Sequence, residues 1–545
     1  MGRDHDVVGV KELLSRYRLL TLVGAGGIGK TRLAVQVGWE LLDLYCDSVW
    51  LVDLAPIRDS ELVGSVVAQA LGISQQQGRR VEESIPLWLK RKQALLIFDN
   101  CEHVLEPVSA LVQAILATAQ GVRIVATSRQ RLDIAGEAVH RLPTLALPPE
   151  APGLKCDDAL HYGAVALFVD RAKAADTHFV LTDDNASIVA EICRRLDGIA
   201  LAIELAAARV TVLSISNLAQ RLSERFSLLT GGSRSALPRQ KTLTALIDWS
   251  YDLLTRQEQR LFNRLGVFAG GFDLDAATTV CAGEGLAELG VFDLLTSLIE
   301  KSLVMVDTSG EQERYRLLES TTAYALGKLA ASGERERLAR RHAEYFRDRA
   351  EGVDKRRGSD RTVAWLAGVE LELDNYRAVL EWALTGDNDA VLGGAILGAL
   401  RGLWSEAGLG VEGRFWIERA LPRISEAEQP AIAARLHLAL SVLLSGKRCY
   451  EAAQRAIQLY ESVGDRGRAA HAQRSCGYAL FQMGQLEAAR EAIAQALAAS
   501  RACGDAWNVA YCLKQLAAIE WRHGDFSAGR ELFAQALAGM KALGE

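Results

Sequence analysis

Apolar positions over residues 1 to about 147 gather in short, nearly continuous runs: Arg18-Leu19-Leu20-Thr21-Leu22-Val23, Ser48-Val49-Trp50-Leu51-Val52-Asp53-Leu54, Ala94-Leu95-Leu96-Ile97-Phe98-Asp99 and Val122-Arg123-Ile124-Val125-Ala126-Thr127. Segments of helical spacing separate them. Strands of this kind are buried on both faces, so the pattern predicts a parallel sheet covered by helices, an α/β domain over 1–150. A proline-rich break, Leu147-Pro148-Pro149-Glu150-Ala151-Pro152, ends it. From Asp157 the pattern is wholly helical, with Ala164-Val165-Ala166-Leu167-Phe168 and Ile199 to Ala208 as apolar faces, and it predicts a helical lid over 157–232. A linker bearing glycine and serine, Ser227 to Pro238, follows.

Residues 239–325 read as helices and then two short strands, Ser302–Val306 and Arg314–Leu318, around the turn Asp307-Thr308-Ser309-Gly310. That is the outline of a winged helix. It shows no strong stripe of lysine and arginine, which favours a packing module over a DNA reader. A helical spacer, 335–428, holds Trp365, Trp382, Trp404 and Trp416, expected in its core.

The last segment, 430–545, repeats itself. Met483-Gly484-Gln485-Leu486-Glu487-Ala488-Ala489-Arg490 recurs 40 residues later as His523-Gly524-Asp525-Phe526-Ser527-Ala528-Gly529-Arg530, and Gly464-Asp465, Gly504-Asp505 and Gly544-Glu545 keep the same period. Paired helices repeating in this way predict an all-α, tetratricopeptide-like solenoid whose concave face suits a partner. Its last repeat shows no polar cap, which predicts a continuing array or a partly uncovered final helix.

Composition narrows the function classes. The chain has 545 residues, 49% hydrophobic and 24% charged, enough for roughly three to five domains. Its net charge of −6 gives no global case for nucleic acid or an anionic membrane as the main partner. The nine cysteines never form C-x-x-C, which predicts reduced thiols and no zinc site. The longest tempting apolar run, Ala390 to Leu400, stops at Arg401, well short of the ~18 residues of a membrane span. With no signal-like start, the expected location is cytoplasmic.

The chemistry starts after the first strand, at Gly24-Ala25-Gly26-Gly27-Ile28-Gly29-Lys30-Thr31-Arg32. A strand, then G-x-x-x-x-G-K-[ST], then an amphipathic helix is the context of a phosphate-binding loop. Its backbone N–H groups and the helix dipole attract phosphates, Lys30 reaches the β- and γ-phosphates, and the Thr31 hydroxyl ligates Mg²⁺. The bland alternative is a glycine-rich turn that binds nothing. Asp99 closes an apolar strand, where a carboxylate holds Mg²⁺ or caps the next helix. The next residue, Asn100, is no base, so hydrolysis falls to Glu102, to a more distant group, or to slow attack by water. Arg129, after the fourth strand, has the fork to sense a terminal phosphate, or forms a surface ion pair. Parallel sheets bind ligands at the carboxyl ends of their strands, which predicts one rim for Lys30, Asp99 and Arg129.

The order of these pieces resembles the signal-transduction ATPases with numerous domains, specifically the NB-ARC-like ATPases found in bacterial transcriptional regulators. The resemblance rests on Gly2-Arg3-Asp4, the phosphate loop, Leu96 to His103, Ala126 to Arg129, Cys193 to Arg209, Asp248 to Leu254 and Tyr315 to Ser320. It implies a switch that rests closed with ADP, exchanges to ATP when a protein or small-molecule inducer binds the C-terminal repeats, and then self-associates. Carried over by position, Lys30 and Thr31 serve phosphate and Mg²⁺, Asp99 is the second-motif acid, Arg129 is the phosphate sensor, and Arg3 lies near the adenine. Ile199 and Ala200 fall where the family's lid motif packs a proline on the nucleotide. Here that motif reads Gly198-Ile199-Ala200 and lacks the proline. Leu318 or a neighbour takes the place of the histidine that touches the β-phosphate in plant and animal relatives. Met1 directly before Gly2-Arg3 leaves no room for an upstream output domain, so DNA contact is expected only through a domain absent from this chain. Two other functions compete: a regulator that binds DNA through 239–325, and a scaffold with a vestigial nucleotide site.

Overall fold

The computed structural model describes residues 2–57, 59–73, 81–149, 154–229, 246–248, 250–308, 310, 312–356, 362–386 and 388–543. The linker at 230–238, the start of the winged-helix segment, the middle of the proline-rich break, Ser309 and Gly544-Glu545 lie outside them, as does the Trp365 side chain. The described chain forms two compact units, one of Met1–Leu71 with Glu82–Leu338 and one of Gly72–Val81 with Ala339–Glu545.

In the first unit, β1 (Leu19–Val23), β2 (Val49–Asp53), β3 (Leu95–Asp99), β4 (Arg123–Ser128) and β5 (Glu137–Arg141) form one sheet in the order β2-β3-β4-β1-β5. Every pairing is parallel, with Leu19 opposite Ile124 and Leu95 opposite Arg123. The central strands β1, β3 and β4 are almost wholly buried, which is why their apolar runs are legible. Strand β5 is an addition to the predicted four. It lies on the sheet edge and alternates buried Ala138 with exposed Val139, so it carries no continuous apolar run. Helix Asp4–Arg16 buries Val7, Val10 and Leu14 in the same core as Leu20, Leu22 and helix Lys30–Glu40. The lid segment contains helices Gly163–Ala175, Asp183–Arg195, Ala200–Ala207 and Ile215–Leu229.

The winged-helix segment contains helices Arg256–Leu265, Leu274–Cys281 and Val291–Glu300, then β6 (Met305–Asp307) and β7 (Arg314–Arg316). Its strands are shorter than predicted. Tyr315 exchanges two backbone hydrogen bonds of 2.8 Å with Phe272, so a third piece of chain joins this small sheet. Helix Glu319–Ala331 follows.

Among the described residues, the second unit contains helices and no strand. Trp404 and Trp416 are buried in it as expected. From Gly446–Ser462 to Phe526–Ala542 its helices come as antiparallel partners. Gly464, Gly484, Gly504 and Gly524 all have φ between +71° and +91°, so each ends a helix in the left-handed region that glycine adopts without strain. Asp465, Asp505 and Asp525 then accept from the backbone N–H three residues on, at 2.9, 2.9 and 3.0 Å, and start the next helix. The 40-residue period is thus two helices and two such turns.

Candidate functional site

All five strands of the sheet end on one rim, where β1 runs into the phosphate loop, β3 ends at Asp99 and β4 leads directly to Arg129. Gly27 and Gly29 take φ of +76° and +97°, conformations that turn the loop into helix Lys30–Glu40. The Ile28 side chain is buried in the sheet core, so Ile28 offers the loop only its backbone. Lys30 Nζ donates to the carbonyls of Gly24 and Ala25 at 3.0 and 3.2 Å. A Cβ on Gly26 would meet only Arg129 Nη2 and Ser320 Oγ, both at 3.8 Å, so polar groups ring the loop.

Asp99 binds the loop to the rim. Thr31 Oγ1 donates to its carboxylate at 2.9 and 3.0 Å, and Thr127 Oγ1 at 2.5 Å. Burial raises the Asp99 pKa, opposed by the two threonine hydrogen bonds and by Lys30. Burial lowers that of Lys30, opposed chiefly by Glu102 and then by Asp99. A hydroxyl and a carboxylate together are the oxygen set of a Mg²⁺ site, and a polyphosphate beside Lys30 would favour its charged form. The residues present fit a Mg²⁺–nucleotide, which the loop backbone, Lys30, Thr31 and Asp99 would hold.

Two further links surround this network. Arg129 Nε donates to Glu102 Oε1 at 2.9 Å, while Glu102 Oε2 is buried without a hydrogen bond. Asn100, at φ +66°, sends its Nδ2 to Glu319 Oε2 at 2.8 Å. Helix Glu319–Ala331 therefore presents its first turn to the loop, with Glu319 acting electrostatically on both Lys30 and Asp99.

The lid reaches the loop by its backbone. Leu201 N–H donates to the Gly27 carbonyl at 3.0 Å, and Leu145 N–H to that of Gly198 at 2.9 Å. Gly198 has φ +65°, and a Cβ there would lie 2.4 Å from the Leu145 oxygen. Ile199 is buried at the start of helix Ala200–Ala207. Arg3 and Arg32 both make contacts of their own near the loop. Arg3 donates to the carbonyls of Ile28 and Pro143, each at 2.9 Å, and pairs with Asp6, which straps the loop backbone. Arg32 is mostly exposed and pairs with Glu204 of the lid.

Sequence reasoning missed Thr127 as the second donor to Asp99, and Glu319 and Ser320 as neighbours of the loop. Leu318 stands one position before the helix, so Glu319 is the residue that reaches the site. An acidic residue opening a helix after a strand is the one local signal for it, and 219 positions separate it from Asn100.

A parallel sheet with a phosphate loop, an acidic strand end and a helical lid defines a P-loop nucleotide-binding domain. Residues 4–147 match the NB-ARC domain family, and residues 254–330 match a winged helix-turn-helix domain. A Mycobacterium tuberculosis protein named as an HTH-type transcriptional regulator is 43% identical over 376 residues, covering 69% of this chain and 40% of that protein. An uncharacterized protein of the same organism is 37% identical over 351 residues, 64% of this chain and 85% of its own length. Regulatory protein AfsR of Streptomyces coelicolor is 27% identical over 391 residues, 67% of this chain and 36% of AfsR. The chain belongs to the same family as that uncharacterized protein, of which it covers 85%, and carries an NB-ARC domain over residues 4–147. It spans 40% of the length of the first of these relatives. The NB-ARC domain implies nucleotide binding. Because the winged-helix match lies inside the chain, nothing supports confining DNA contact to an upstream domain. No helix among the described residues is long and apolar enough to cross a membrane.

Proposed function

We propose that this protein is a nucleotide-dependent signalling switch in transcriptional control, with ATP or ADP and Mg²⁺ held among the 1–150 domain, the 157–232 lid and the 239–325 winged helix. One observation carries the reading. Lid and winged-helix segments both contact the loop side of the sheet, through Leu201 to Gly27 and through Glu319 to Asn100, so the nucleotide bound there would bias how they pack. Lys30 and the loop amides grip the phosphates, Thr31 and Asp99 hold Mg²⁺, and Arg129 senses the terminal phosphate. Glu102, tethered by Arg129, is the carboxylate placed to orient water. With neutral Asn100 beside Asp99, turnover is slow, well below the ~10 per second enzyme median. The tetratricopeptide-like segment 430–545 receives the inducer, and the ATP form self-associates.

Acid extraction of the purified protein tests this reading. Stoichiometric ADP or ATP is expected, and Mg²⁺ with ADP should raise the unfolding temperature of stripped protein, by about 2.7 kcal/mol of stability at a hundredfold excess over Kd. Nucleotide-free protein with no thermal response would leave the scaffold reading standing.

DNA binding by 239–325 is the second reading, favoured by the winged-helix match. Helix Val291–Glu300 carries Asp293 and Glu300 and no lysine or arginine, so it offers phosphate backbones no attraction. A gel-shift series across salt separates the two.

A further inference from the structure

The second unit contains a cavity of about 200 Å³ between helices Arg335–Arg356, Ala390–Ala399, Arg401–Glu406, Pro430–Leu443, Gly446–Ser462, Arg466–Gln482 and Ala506–His523. By volume it holds on the order of seven water molecules. Arg401, Arg435 and Arg468 line it from three different helices, with Asp354, Tyr460 and Trp507.

Two of its polar atoms, Tyr460 Oη and His471 Nδ1, are buried without a hydrogen-bond partner. Tyr460 is 1% exposed and its hydroxyl has no hydrogen-bond partner. Burial pushes that phenol up to about 12, and all three arginines act electrostatically in the opposite sense, so their positive charge converges on one buried oxygen. Arg435 is also largely buried, yet its ion pairs with Glu351 and Asp354 are both 3.5 Å long. Arg468 shares Asp354 at 3.8 Å and reaches Asp465 at 3.5 Å. A guanidinium satisfied by a carboxylate sits at about 2.7–2.9 Å, so these are loose arrangements that a better acceptor would displace.

The aromatic wall is fixed by its own contacts. His471 donates from Nε2 to Asp505 at 2.6 Å and stacks on Trp507 at 5.9 Å and 17°, and Arg474 covers the same indole. Burial holds the imidazole neutral, down to about 4, so the uncharged ring leaves Nδ1 as a buried acceptor without a partner. A phenol that donates or accepts, an imidazole nitrogen that accepts, three guanidinium groups and a flat indole then surround one small volume. Leaving the Tyr460 hydroxyl and His471 Nδ1 buried without a hydrogen bond is costly, and a ligand carrying an anionic group and a hydroxyl would satisfy them while facing the arginines.

We propose that this cavity is the effector site of the helical unit and takes a small anion, a carboxylate- or phosphate-bearing metabolite gripped by Arg401, Arg435 and Arg468 with Tyr460 as its buried hydrogen-bond partner. The proposal rests on the reading of the C-terminal helices as the inducer sensor, and it names the chemistry of that inducer.

The test uses the full chain carrying Lys30→Ala, so that anion binding at the phosphate loop is weakened, and the Arg435 and Tyr460 variants are made in that background. Citrate, inorganic phosphate and neutral glycerol are titrated by calorimetry and thermal shift. Saturable binding of citrate or phosphate and none of glycerol is expected, and the stronger of the two anions assigns carboxylate or phosphate chemistry. Arg435→Gln should weaken that binding at least tenfold. Tyr460→Phe keeps the packing and should weaken it severalfold, which covers the case in which Arg435→Gln fails to fold. Absence of saturable anion binding, or binding unaltered by Tyr460→Phe and Arg435→Gln, overturns the proposal. A separate arm measures release of ADP from the wild-type chain with and without the anion. Binding at the cavity with no change in that release rate would leave the anion site standing and sink the sensor reading.

Discussion

Asn100 Nδ2 lies 2.8 Å from Glu319 Oε2, joining the end of β3 to the first turn of the helix that follows the winged-helix strands. The bond matters because Asn100 directly follows Asp99, and the Glu319 charge also acts on Lys30 and Asp99. A carboxylate is thus fixed beside a site suited to polyphosphate.

Glu319→Gln should tighten nucleotide binding. Removing one negative charge near the phosphates is worth about 1 kcal/mol at a water-like dielectric, roughly fivefold in Kd. The gain should be larger for ATP than for ADP and shrink with added salt. Titration with a fluorescent nucleotide at two ionic strengths checks it, and an unchanged Kd would separate Glu319 from the phosphates.

Lys30→Ala removes the charged donor now held by the Gly24 and Ala25 carbonyls. Losing such an interaction costs about 1.5–3 kcal/mol, or ten- to over a hundredfold in nucleotide affinity. Far-UV circular dichroism should stay the same while calorimetry shows the loss.

Ala200→Pro should be accepted. Ala200 is the first residue of its helix, where the N–H lies outside the helical ladder, and Ile199 before it has φ −74° and ψ 116°, conformations that a following proline allows. Stability should hold or rise by up to about 1 kcal/mol. A fall in unfolding temperature would show that this backbone cannot host the proline of the wider family.

Arg377 and Glu412 form a bidentate pair with both contacts at 2.8 Å, and Glu412 is fully buried. Arg377→Ala strands that carboxylate and should cost about 3–5 kcal/mol, whereas Arg377→Met with Glu412→Leu should come close to neutral. Urea unfolding of both variants measures the difference.

His342 and His471 are both held down to about 4 by burial, against an ordinary value of 6.5. Unfolding releases each to protonate at its ordinary value, so their contribution is complete above pH 6.5 and lost as the pH falls toward 4. Each imidazole should add about 1.4 kcal/mol of lost stability per pH unit in that window. His342→Gln should reduce the slope of unfolding temperature against pH, and an unchanged slope would mean that His342 is protonated in the folded chain.

Local pattern and tertiary contact divide the origin of this molecule. Buried central strands must be apolar at every position, a phosphate loop must have glycine at its left-handed turns, and a helical repeat must restate its turn residues. Those demands act on neighbours in the chain, so the α/β sheet, the loop and the 40-residue period could be read directly. Strand β5 escaped because an edge strand needs only alternate burial. The pairings of Thr127 with Asp99, Glu102 with Arg129 and Asn100 with Glu319, and the gathering of three arginines around Tyr460, are decided by packing between segments far apart in the chain. No local periodicity encodes such meetings, because the free energy that selects them comes from burial and charge shared across elements.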